Sequence, residues 1–192
     1  MVIPDAGVLD RRSVVARLLR DRDGILVVTG LGSPSYDVHA AGDDEGNYYL
    51  WGAMGAAALV GLGLAQAQID RTVVVITGDG EQLMGLGGLA TVAVAAPANL
   101  VIVVLDNGAF GETGMQQSHT AAGADLAAIA KASGIPSTYV IEDEAGLRRL
   151  AATLHQTRET LFACVRVAAT DHPRVLPEKD GVTLKTRFRA AL

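Results

Sequence analysis

The chain has one cysteine, very few aromatic residues and no run of basic side chains. A single thiol excludes an intrachain disulfide, and its place in the apolar run 161–167 makes Cys164 a buried, inert thiol. Aromatics make up 4% of 192 residues, so the core is left to Ala, Val and Leu, which suits helices packed closely on a parallel sheet. With a formal charge of −5 and no basic patch, the sequence offers nothing to a nucleic-acid partner. The opening residues MVIPDAGVLDRR lack the basic start and apolar centre of a signal peptide, so a cytoplasmic protein is expected. Two uncharged stretches, 48–69 and 82–105, are long enough to raise the question of a membrane span. The first is dense in Gly and Ala and ends in Gln66 and Gln68, and the second is broken by Pro97 and Asn99. Both are expected to be buried helix and strand, with no membrane partner.

What remains is a regular alternation of short apolar strands and helical segments. Strands are expected at 25–29, 73–77, 100–105, 137–141 and 161–167, and helices at 10–20, 52–68, 82–95, 125–133 and 144–158. Continuous aliphatic strands separated by helices predict an α/β fold, a doubly wound parallel sheet with helices on both faces. The length fits one domain over residues 1–192, with its core at about 10–168. The tail 169–192 is polar and punctuated by proline, and is expected to wrap a neighbour rather than join the core.

In such a sheet, ligands sit at the carboxyl ends of the strands. Two strands there deliver chemistry-bearing residues. The run Val73 to Thr77 leads into Gly78-Asp79-Gly80, and Leu100 to Leu105 leads into Asp106-Asn107-Gly108, with Asp106 standing 26 residues after Gly80. The Asp79 carboxylate and the Asn107 amide oxygen are hard ligands. Mg²⁺ takes such oxygens in near-octahedral geometry, completed by phosphate and water. The glycines let backbone N–H groups approach phosphate oxygens, and the N–H groups of Gly80 and Glu81 open the following helix. A second phosphate cradle is expected at the loop after the first strand, where Gly30, Leu31 and Ser33 stand.

Spacing and context together resemble the motif of the thiamin diphosphate-dependent enzymes, a Gly-Asp-Gly followed by an Asn pair, here with Asp106 in the first place of the pair. The chain is similar to the diphosphate-binding half of those enzymes, over roughly residues 11–167. The resemblance implies that the carbonyl of Ala109 completes the protein's share of the metal shell beside Asp79 and Asn107. It also makes Gly46 to Gly55 the loop that bends the cofactor. Met54 is then the apolar prop, Ala53 its neighbour, and the carbonyl of Gly52 the acceptor for the pyrimidine amino group. After the second motif, the loop from Ala109 through Phe110, Gly111, Glu112, Thr113, Gly114 and Gln116 to His119 resembles that of phosphonopyruvate and sulfopyruvate decarboxylases. Glu112 stands where serine is common, and a carboxylate there would repel an anionic head group. Glu112 and His119 are the expected catalytic or substrate-facing residues.

The resemblance implies thiamin diphosphate and Mg²⁺ as cofactors and a small 2-oxo acid as substrate. It also implies a companion pyrimidine-binding α subunit, because the glutamate that activates the cofactor belongs to a domain this chain is too short to hold. The expected assembly is a homodimer of this chain or a hetero-oligomer. Three other readings compete: a carboligase of the acetolactate synthase type, a non-catalytic subunit that keeps the fold, and a nicotinamide oxidoreductase built on Gly30-Leu31-Gly32. Pro34 and the turn-rich residues after it are expected to spoil the helix that the last reading needs.

Overall fold

The computed structural model describes residues 8–192; part of the segment on which the absence of a signal peptide was argued, residues 1–7, lies outside the described residues. Six strands form one parallel sheet in the order β2-β1-β3-β4-β8-β7. They are β1 (Leu26–Thr29), β2 (Asn47–Tyr49), β3 (Val73–Gly78), β4 (Leu100–Asp106), β7 (Ser137–Ile141) and β8 (Leu161–Arg166). A two-stranded hairpin, β5 (Ala109–Phe110) with β6 (Gln116–Gln117), stands apart beyond β4. The helices are α1 (Arg11–Leu18), α2 (Ser33–Ala40), α3 (Ala57–Ala67), α4 (Asp79–Met84), α5 (Leu86–Ala95), α6 (Leu126–Ala132), α7 (Glu144–Thr153) and α8 (Gly181–Ala190).

Alternate residues of each strand enter opposite faces, so the sheet divides the core in two. Val27, Val74, Ile76, Val101, Val103 and Val165 pack with α1 and α7 on one side. Val28, Val73, Val75, Ile102, Val104 and Phe162 pack with α3, α5 and α6 on the other. The doubly wound fold expected from the alternation is therefore present. Among the described residues no helix is long and apolar enough to cross a membrane.

The elements differ from expectation where backbone chemistry overrides periodicity. Residues 52–56 are loop rather than helix, with Gly52 and Gly55 both at left-handed φ (70° and 91°). The segment expected as one helix at 82–95 breaks at Gly85, where an added Cβ would lie 2.2 Å from the carbonyl oxygen of Gly55. Pro34 does not spoil a helix. It occupies the first turn of α2, where no intrahelical N–H donor is required. Strand β2 is an unexpected edge, closed by Tyr49, whose hydroxyl donates to Asp43 at 2.8 Å.

The tail also departs from expectation. Leu184 and Phe188 of α8 are buried in this chain's own core, the Phe188 ring lies 5.2 Å from that of Tyr48, and Arg187 donates to Asp43 at 2.6 Å. Trp51 Nε1–H donates to the carbonyl of Glu178 at 2.9 Å, which straps the tail beside the loop at 52–56.

Candidate functional site

Strands β3 and β4 are neighbours in register, with Gly78 opposite Leu105, so the residues just beyond them come together. Asp79 opens α4, and Asp106 is the last residue of β4. The two aspartates are joined by a pair of hydroxyls. Ser118 donates to Asp79 Oδ2, and the single Thr120 hydroxyl hydrogen is shared between Asp106 Oδ1 at 2.7 Å and Asp79 Oδ2 at 3.1 Å. Asp106 accepts in addition from Arg166 and from the N–H of Gly108 at 3.1 Å. Asn107 Oδ1 accepts from the N–H of Ala109 at 3.0 Å, which fixes the amide and starts the β5–β6 hairpin.

Burial raises the Asp79 carboxyl above the ordinary aspartate range. The charge of Asp106 adds to that, and the Ser118 and Thr120 bonds do not offset it. Burial likewise raises Glu81, against donors at Thr77, Ala57, Gly55 and Leu31. The Glu81 side chain is thus the hub of three loops. It accepts from Thr77 Oγ1 and, at 3.1 Å, from the N–H of Ala57. A Cβ on Gly30 would fall 1.7 Å from Glu81 Oε2, so only glycine lets the first loop close over it. Burial, followed by the nearby Asp106, pushes the Cys164 thiol up, and Cys164 donates to Asp106 Oδ2 at 3.4 Å as a structural group.

These residues enclose a cleft of about 150 Å³. Of the residues singled out from sequence, Leu31, Ser33, Met54, Gly78, Asp79, Gly80, Glu81, Asn107, Ala109, Phe110, Gly111 and Glu112 line it. Gly30, which is buried, and Gly52 and Ala53, which are exposed, are not among the lining residues. His119 is exposed, with its ring edge-on to Phe110 at 6.4 Å between centroids. Phe110 and Met54 converge on Gly80, where an added Cβ would lie 2.7 Å from the ring and 3.7 Å from Met54 Cε. At the rim, Glu112 accepts from Tyr36 at 3.5 Å and pairs with Arg174 at 3.4 Å, so its charge is partly neutralised. Ser118, Thr120 and Arg11 were not singled out from sequence. The hydroxyls at 118 and 120 flank His119 where the chain leaves β6 and enters the turn at 119–123, a placement with no periodic signal in the sequence.

Among the described residues no three His, Cys, Asp or Glu side chains gather as a metal cage. The cleft presents the Asn107 amide and three carboxylates, of which Glu81 is taken up by Thr77 and the Ala57 N–H and Glu112 pairs with Arg174, leaving Asp79 as the one with no basic or backbone partner from another residue. That set suits a hard cation that arrives with an anionic ligand to complete its shell, as Mg²⁺ does with phosphates.

Residues 38–167 match the family described as "Thiamine pyrophosphate enzyme, C-terminal TPP binding domain". The chain belongs to this family. It is 36% identical over 184 residues to the sulfopyruvate decarboxylase of Methanosarcina acetivorans, an alignment covering 95% of this chain and 47% of that protein. It is 43% identical over 110 residues to the sulfopyruvate decarboxylase subunit beta of Methanocaldococcus jannaschii, covering 57% of this chain and 58% of that one. The chain thus spans about half the length of these curated relatives. In fold it matches the thiamine diphosphate-dependent 4-hydroxybenzoylformate decarboxylase of Rhodococcus jostii, with a TM-score of 0.72 and 19% identity over 90% of this chain and 35% of that one.

Proposed function

We propose that this chain is the diphosphate- and Mg²⁺-binding part of a split thiamin diphosphate-dependent 2-oxo acid decarboxylase that acts on a 3-sulfo- or 3-phosphonopyruvate-like substrate. The observation that carries the reading is the buried Asp79, held above its ordinary pKa, in one cleft with Asn107, Ala109, Met54 and Phe110. A carboxylate so disfavoured is relieved by a divalent cation, and the oxygens beside it are those that Mg²⁺ prefers.

In this reading Asp79, Asn107 and the Ala109 carbonyl hold Mg²⁺, while the backbone of Leu31, Ser33, Gly80 and Glu81 cradles the diphosphate. Met54 and Phe110 close on Gly80 as an apolar wall, which supports the bent cofactor and keeps water from the reacting carbon. Thiamin diphosphate, when bound, supplies the nucleophilic carbon and the electron sink for decarboxylation. The chain contributes binding, orientation and a dry wall. Glu112, steadied by Tyr36 and Arg174, faces the far end of the substrate. His119, outside the lining, meets substrate or partner at the rim.

The activating glutamate is assigned to a companion α subunit in the cytoplasm. An exposed apolar strip supports a partner: Leu59 and Val60 on α3, Met84 on α4 and Val94 on α5 are from 36% to 88% exposed. The greater length of the Methanosarcina relative, and the beta-subunit name that the Methanocaldococcus relative carries, support the same arrangement.

The test is CO₂ release from 3-sulfopyruvate, 3-phosphonopyruvate and pyruvate by this chain, alone and reconstituted with a pyrimidine-domain subunit, at saturating cofactor and Mg²⁺. Turnover of an anionic 3-substituted substrate only in the reconstituted pair is expected. Cofactor binding with no CO₂ from any 2-oxo acid would overturn the decarboxylase reading in favour of a non-catalytic subunit, and CO₂ from pyruvate alone with a carboligated product would overturn it in favour of a carboligase.

A further inference from the structure

Arg11 is a buried cation in the wall of the cleft, and neither the sequence motifs nor the proposed function gives it a task. It is 5% exposed and lines the same cleft as Ser33, Asp79 and Asn107. Its guanidinium donates to Asp37, which is fully buried on α2. Asp37 is shared, because its other oxygen accepts from Arg12 Nε at 3.1 Å. Two guanidinium groups on one carboxylate leave an excess of one positive charge. Arg12 is the more exposed of the two and also reaches the carbonyl of Pro173 at 2.8 Å. The group as a whole is therefore cationic, and of its members only Arg11 lines the cleft. The Asp79 carboxylate is bonded by Ser118 and Thr120 and makes no ion pair with Arg11. A buried guanidinium in the cleft wall, held through Nη1 by Asp37 and part of a cationic group, has further N–H donors with which to receive an oxyanion.

We propose that Arg11 is the anion-receiving cation of this cleft and that its ligand is the terminal phosphate of the bound diphosphate. The inference rests on the proposed cofactor, whose diphosphate is given to Leu31, Ser33, Gly80 and Glu81 in the lining that Arg11 shares. Asp37 and Arg12 act as positioning residues that hold the fork.

The test measures Mg²⁺-dependent binding of inorganic pyrophosphate, and of thiamin diphosphate against thiamin monophosphate, by calorimetry on the full chain, wild type and Arg11→Gln. A charged hydrogen bond to an oxyanion implies about 10- to 100-fold weaker pyrophosphate binding in Arg11→Gln, with a smaller preference for the diphosphate over the monophosphate. Arg11→Lys keeps the charge and loses the fork, so it binds between the two. It decides the question if Arg11→Gln fails to give a wild-type circular dichroism spectrum. Unchanged pyrophosphate affinity in folded variants would overturn the proposal. So would unchanged pyrophosphate affinity with a raised KM for the 2-oxo acid, which would hand Arg11 to the substrate. A wild-type chain that binds neither pyrophosphate nor cofactor would remove the cofactor reading itself, and this proposal with it.

Discussion

Asp79 and Asp106 lie side by side at the ends of neighbouring strands, both buried, yet the chain surrounds them differently. Asp106 has a cation, Arg166, and also takes the Gly108 N–H, Thr120 and Cys164, so both of its oxygens are occupied by the fold. Asp79 has hydroxyls alone, at Ser118 and Thr120, and its carboxyl is held up by burial. An acid that must anchor a loop is given an internal counter-charge. An acid left with neutral donors keeps its demand for a cation from outside.

The largest effect on this arrangement comes from its platform. Gly30→Ala would drive a Cβ to 1.7 Å from Glu81 Oε2 and displace the helix that carries Asp79. A loss of about 3 kcal/mol in urea unfolding is expected, at the upper end of ordinary overpacking. Asp106→Asn breaks the comparison directly by leaving Arg166 unpaired. Arg166 keeps 37% of its side chain in solvent, so the loss is less than for a fully buried pair, about 2 kcal/mol by the same measurement. Ser118→Ala removes one neutral donor from Asp79 and should cost about 1 kcal/mol.

The smallest effect sharpens the contrast through pH. At Asp43, burial favours a raised carboxyl, but the bonds from Arg187 and Tyr49 outweigh it and hold the group below the ordinary aspartate range. Its contribution is therefore present above the ordinary aspartate pKa and is lost as pH falls through the lowered folded value. Asp43→Asn should remove that acid-side slope, by less than about 1 kcal/mol for a partly exposed pair. Asp79 has the opposite sign. Without metal, its ionisation lowers stability as pH rises from the ordinary value through the raised one, so metal-free Asp79→Asn should melt above wild type at neutral pH.

Much of this contrast was legible in the sequence. Strands β3 and β4 are unbroken aliphatic runs, and the sequence alone places the glycine-flanked Asp79 and Asn107 at their carboxyl ends. The counterparts were not legible, because they depend on distant neighbours. Arg11 reads as the polar side of an amphipathic helix until α2 brings in Asp37, 26 residues away. Strand β2 is three residues long and exists through its pairing with β1. The tail hides its helix because Leu184 and Phe188 are single apolar residues in a polar run, and the burial that selects them comes from Tyr48 and the sheet. Gly85 interrupts a helical pattern for a reason that lies in the loop of Gly55.

The most direct measurement is calorimetric titration of thiamin diphosphate into this chain with and without Mg²⁺, wild type against Asp79→Asn, with thermal melts of both metal-free proteins. The account predicts Mg²⁺-dependent binding in wild type, its loss in Asp79→Asn, and a higher melting temperature for the variant without metal. Equal binding by the two proteins, or a metal-free variant that melts below wild type, would contradict the claim that Asp79 is held ready for a cation.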